Sequence, residues 1–142
     1  MSKTEEKDNL NFFDLPTINP DELSPAVWAY IGDAVYELYI RYSLLAEGPS
    51  KTKVLHHEAT TRVRASYQAG LVKILEPELT EGEMEILKRG RNVKSGHIPA
   101  NTDVLTYRYS TAFEALIGYL FLSRRSERLK QLLIKAFELN KE

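Results

Sequence analysis

Apolar residues in this chain recur in helical turns, and the polar residues that interrupt them sit where helices begin and end. Ser24 followed by Pro25 is a cap-and-start pair, and the apolar run after it predicts a helix that closes before Gly48-Pro49. That helix has about six turns. A second helical region runs roughly from Lys51 to Leu75, with His56 or Gly70 as its candidate break points, and Pro77 ends it. The third opens on a capping box, Thr80 with Glu83, and stops near Asn92 ahead of the turn-rich stretch KSGHIPANTD. A fourth runs from about Asp103 to Arg124, and the last, capped by Ser126, fills ERLKQLLIKAFELNK. The alternating runs VRASYQA and LTYRY lie inside these segments and face no second run across a hairpin turn, so they are not strands. The fold class expected is all-α, with residues 22–142 as one domain and residues 1–21 as an N-terminal tail or arm.

Two of these helices are apolar nearly all round, which predicts burial for both. Each carries a lone carboxylate beside a glycine. In AYIGDAVYELYIR, Asp33 follows Gly32; in STAFEALIGYLFL, Glu114 is the only charge, and Gly118 lies one turn further on the same face. Glycine inside a helix costs roughly 1 kcal/mol relative to alanine. Its presence at both places is expected to let the two helices cross closely. Seven of the eight tyrosines fall in these two helices, a placement that suits core filling better than base stacking. An ionised carboxylate in such surroundings needs a partner. Two readings stay open at this point: an ion pair with Arg41 or Arg108, or a divalent cation shared by Asp33 and Glu114, whose oxygens suit Mg²⁺ or Mn²⁺.

Charge distribution favours the second reading. The net charge is -1, but residues 1–22 hold six acids against Lys3 and Lys7, which leaves the remainder net positive. From Lys88 to Thr102 there is no acid, while Lys88, Arg89, Arg91 and Lys94 cluster there, and Asn92, Asn101 and Ser95 add hydrogen-bonding groups. Such a segment suits phosphate contact. His56 and His57 point about 100° apart on a helix and have no third histidine at zincin spacing, so they read as surface residues. The chain contains no cysteine, which removes disulfides and thiolate chemistry and fits a cytoplasmic protein. No segment has the length and apolarity of a signal peptide or a membrane span.

The run YIGDAVYELYIR, followed by LKRGRNVKSG and then by NTD and STAFEALIGYLFL, resembles the catalytic domain of ribonuclease III, with its GDAV and FEALIGA helices. The closer resemblance is to the Mini-ribonuclease III family, which has the nuclease domain without a double-stranded-RNA-binding domain. It implies a homodimeric helical endonuclease domain that hydrolyses double-stranded RNA with Mg²⁺, or Mn²⁺ in its place, leaving 5′-phosphate and 3′-hydroxyl ends. The substrate implied is the 23S ribosomal RNA precursor. On this resemblance Asp33 and Glu114 are the catalytic metal ligands, and Lys88, Arg89, Arg91, Asn92, Lys94 and Ser95 are candidates for RNA contact.

Two departures matter. Ala29 and Thr111 stand where longer family members have acidic ligands, which points to a single Mg²⁺ with more water ligands; Glu37 and Asp103 are the weaker substitute candidates. Without a second basic domain, affinity for RNA must come from dimerisation, from a few phosphate contacts, or from a ribosomal-protein partner that shapes the substrate. The competing reading is a non-catalytic RNA-binding or ribosome-assembly module on the same fold.

Overall fold

A computed structural model describes residues 12–48, 51–94, 98 and 100–139. Among the described residues six α-helices carry the fold: α1 (Pro25–Ala46), α2 (Thr52–Val63), α3 (Ala65–Leu75), α4 (Glu81–Arg91), α5 (Val104–Leu122) and α6 (Ser126–Leu139). No strand occurs among the described residues. Local chemistry sets most of the boundaries. Ser24 Oγ accepts from Val27 N–H, and at Thr80 both halves of the capping box form, at 3.0 and 3.1 Å. Asp103 is the N-cap of α5, its Oδ2 accepting from Thr106 N–H at 3.0 Å.

Two expected boundaries shift. The second helical region breaks at Arg64, whose extended backbone separates α2 from α3, and neither His56 nor Gly70 interrupts its helix. Ser126 is the first residue of α6 and not its cap. The end of the expected arm lies within the described residues. Pro20–Glu22 form a 3₁₀ turn tied to the helices, with Trp28 Nε1–H donating to the Pro20 carbonyl at 2.7 Å and Tyr119 Oη–H donating to Asp21 at 2.6 Å.

Helix α5 runs through the middle, against α1, α4 and α3. From Ser110 to Leu120 only Thr111 and Glu114 are not fully buried, so here an apolar circumference does mean burial. For α1 the same rule fails. Trp28, Ala29, Gly32, Tyr36, Ile40 and Leu44 are buried, but Val27, Tyr30, Leu38, Tyr42 and Leu45 are exposed, with Tyr30 at 79% and Tyr42 at 71%. Trp28, at 0% exposure, lies on the buried face. The core-filling account of the tyrosines therefore holds for Tyr36 and Tyr119, which stack edge-on against Phe113 and Trp28, and fails for Tyr30 and Tyr42.

Candidate active site

The site begins where α1 crosses α5. A methyl group at Gly32 would lie 1.8 Å from the Glu114 carbonyl oxygen, and one at Gly118 would lie 1.9 Å from that of Trp28. Backbone meets backbone here because both side chains are missing, as the two in-helix glycines predicted. The next residue along α1 is Asp33, which this crossing sets beside Glu114.

Asp33 is exposed, contrary to the burial expected of it, because it lies at the edge of the covered face of α1, where a cavity opens. Glu114 is half-buried. Burial pushes its carboxyl up to about 8; the charge of Asp33 and a hydrogen bond between the two carboxyls add to the rise, and the amide of Gln68 opposes it. The cavity beside them has a volume of about 380 Å³. Helix α1 lines it with Ala26, Ala29, Tyr30 and Asp33, and α5 lines it with Tyr107, Arg108, Thr111 and Glu114. Both sets follow the three-to-four-residue spacing of one helix face. Val93, Lys94 and Ile98 close it from the segment after α4.

The arrangement fits a hard divalent cation. Two carboxylates of adjacent helices converge on an open cavity, and their mutual repulsion is what a positive ion would relieve. Among the described residues no group of three or more His, Cys, Asp or Glu gathers to hold a metal, and Ala29 and Thr111 line the wall without contributing acids. Neither ion-pair partner considered from sequence neutralises Asp33: Arg41 pairs with Glu37 one turn back, and Arg108 lines the cavity without an ion pair among the described residues. Glu37, engaged with Arg41, and Asp103, engaged in capping α5, do not line the cavity.

Of the six basic and polar residues expected at RNA, Lys94 reaches the cavity. Lys88 is exposed on α4. Arg89 lies over the Trp28 ring, 4.9 Å from its centroid, and Arg91 Nε–H donates to Asn92 Oδ1 at 3.2 Å. Ser95 lies outside the described residues. His56 and His57 are exposed, as expected. Sequence reasoning missed Tyr30, Tyr107 and Arg108 as cavity residues. Stepping back four and seven residues from Asp33 and Glu114 reaches Ala29, Ala26, Ser110 and Tyr107, which would have recovered part of the wall.

Comparison with known proteins gives the family. Residues 26–125 match the family model described as Ribonuclease III domain. A Mini-ribonuclease 3 from Brevibacillus brevis is 46% identical over 121 residues, covering 85% of this chain and 90% of its own. One from Enterococcus faecalis is 48% identical over 114 residues, covering 79% and 86%. A protein of known crystal structure from Fusobacterium nucleatum superposes with a TM-score of 0.75 at 31% identity, over 82% of this chain and 93% of that one. The chain belongs to the ribonuclease III family, among the relatives named Mini-ribonuclease 3.

Proposed function

We propose that the protein is an endoribonuclease that hydrolyses phosphodiester bonds of double-stranded RNA with Mg²⁺, acting as a homodimer in the maturation of 23S ribosomal RNA precursor ends. The observation that carries the nuclease reading is the convergence of Asp33 and Glu114 on one cavity that also receives Lys94 and Arg108. The ribosomal substrate rests on the family resemblance. The dimer has one further support, the exposed apolar side of α1.

Asp33 and Glu114 would hold the cation, with water filling the positions that Ala29 and Thr111 leave open. Bound there, the ion would supply an acidified water and would stabilise charge on the phosphate oxygens. Lys94 and Arg108 bring positive charge to the same cavity and orient the phosphate, the guanidinium being suited to paired contacts. Tyr30, large and exposed at the mouth, limits how the strand enters. The two carboxylates would therefore hold the ion and the two cations would position the phosphate.

Incubation of the purified chain with long double-stranded RNA, with and without Mg²⁺, tests this. Cleavage to 5′-phosphate ends is expected only with the metal and is expected to vanish in Asp33→Asn and Glu114→Gln. Glu37→Gln and Asp103→Asn should retain it, since those acids serve Arg41 and the α5 cap. The non-catalytic reading is favoured by Ala29 and Thr111 in the cavity wall; it predicts RNA binding without metal-dependent cleavage in the same assay.

A further inference from the structure

Gln68 is a polar side chain at 0% exposure, on α3, behind the cavity and outside its lining. One end of its amide is fixed. Ser110 Oγ–H, on α5 one turn before Glu114, donates to Gln68 Oε1 at 2.6 Å. The other end is not: Nε2 is buried and makes no hydrogen bond, the one such side-chain atom among the described residues. Buried amide donors are almost always satisfied, and an orphan calls for a reason.

The reason lies in what the amide faces. Gln68 is a hydrogen-bonding neighbour of the Glu114 carboxyl and opposes the rise in its titration, but the contact falls short of ordinary bond geometry. The carboxylate decides which end points there, because turning the amide over would keep a bond to the Ser110 hydroxyl, then an acceptor, but would set a carbonyl oxygen against a carboxylate oxygen. A carboxylate that holds a metal is commonly braced from behind by such a group.

We propose that Gln68 is the positioning residue for Glu114. Its Nε2–H donates to the inner carboxylate oxygen when the site is loaded and so turns the outer oxygen toward Asp33 and the ion. Ser110 anchors the other end of the amide. The inference rests on the reading of Asp33 and Glu114 as cation ligands, and it adds a residue that touches neither the ion nor the RNA.

The test measures Mn²⁺ binding to the full chain without RNA, by loss of the free-ion electron paramagnetic resonance signal, beside thermal unfolding of the metal-free protein. Gln68→Met keeps the volume and removes the donor. It should weaken Mn²⁺ binding about 10- to 100-fold. It removes an unsatisfied buried donor but also the acceptor of the buried Ser110 hydroxyl, so thermal unfolding serves to show that the variant is folded. Ser110→Ala, which keeps Gln68 but frees the amide, should weaken binding by a smaller factor. In RNA cleavage both variants should lower kcat at fixed Mn²⁺ and leave KM for RNA unchanged. Wild-type Mn²⁺ affinity in folded Gln68→Met overturns the proposal. If Gln68→Met does not fold, Ser110→Ala decides, and unchanged affinity there also overturns it. Failure of the underlying reading looks different: the wild type binds no Mn²⁺, or Asp33→Asn binds it equally well.

Discussion

Gly32 of α1 and Gly118 of α5 face each other at a helix crossing so close that a Cβ on Gly32 would come within 2.7 Å of the Gly118 amide nitrogen, and one on Gly118 within 2.9 Å of that of Gly32. The contact is between backbones, which cannot yield as a flexible side chain would. It couples fold to site, since Asp33 and the Glu114 carbonyl lie at the same crossing.

Substituting alanine at either glycine should therefore destabilise the chain and disable it together. Overpacking a core usually costs about 1–3 kcal/mol, and a clash with backbone belongs at or above the top of that range. Urea unfolding of Gly118→Ala is expected to show a loss of about 3 kcal/mol or more, with cleavage lost. Gly70→Ala is the contrast. A methyl there meets nothing within 4 Å, and the exposed helical position should gain up to about 1 kcal/mol. A stabilised Gly118→Ala would contradict the crossing geometry.

The basic residues should divide by what they touch. Lys94 and Arg108 line the cavity, so alanine at either is expected to raise KM for RNA more than it lowers kcat, with little change in stability. Arg89 covers Trp28, whose ring also meets Tyr119 edge-on and whose N–H holds Pro20. Arg89→Ala should cost about 0.5–1 kcal/mol of stability through the lost cation–π contact. Steady-state kinetics on the three variants, with unfolding curves alongside, would separate the two roles; an unchanged KM for both Lys94→Ala and Arg108→Ala would refute theirs.

Glu114 gives the metal-free protein a pH dependence. Burial and the neighbouring Asp33 raise its carboxyl from 4.5 to about 8 in the folded state, so the folded chain holds a proton there that the unfolded chain releases. The sign follows: the contribution is fully present below about 4.5 and is lost as pH rises toward 8. Glu83 has the opposite sense, its carboxyl held low by Arg128, and its contribution is lost only as pH falls below the ordinary carboxylate range. In chelator, thermal unfolding of the wild type should fall between pH 5 and 8, and Glu114→Gln should flatten that slope. A wild-type curve already flat across this interval would count against the buried, proton-holding carboxyl.

The parts of this structure legible in sequence are those set by local or single-helix rules. Ser24, Thr80 and Asp103 mark helix starts through bonds to residues three positions on, and the paired glycines announce a close crossing because an uncompensated glycine in a helix is unfavourable. Asp33 and Glu114 stand out as lone charges for the same kind of reason. The break at Arg64 was not legible, because no proline or glycine marks it and packing of α2 and α3 on different neighbours decides it. Gln68 went unnoticed in SYQAGLV because a glutamine in a helix is ordinary until its burial and its neighbour are known. Arg108 was read only as an ion-pair partner, and only the meeting of α1, α5 and the segment after α4 makes it a cavity residue.

Helix α1 shows most plainly what one chain's sequence leaves open, and it carries the last prediction. Val27, Leu38, Tyr42 and Leu45 recur at intervals of three, four, seven and eleven, so they form a stripe along one side of the helix, and all are exposed. An apolar circumference demands cover but does not say whether the cover comes from the same chain. A contiguous apolar stripe of this kind marks a protein interface, and a second copy of α1 presents the same surface in return, as a two-fold dimer requires. Leu38→Glu sets a carboxylate into that stripe without touching the buried face of Trp28, Gly32, Tyr36 and Ile40. It is expected to convert a dimer to a monomer in sedimentation velocity, with helical content unchanged. A chain that sediments as a monomer before any substitution, or a Leu38→Glu variant that remains dimeric at micromolar concentration, would move the interface elsewhere.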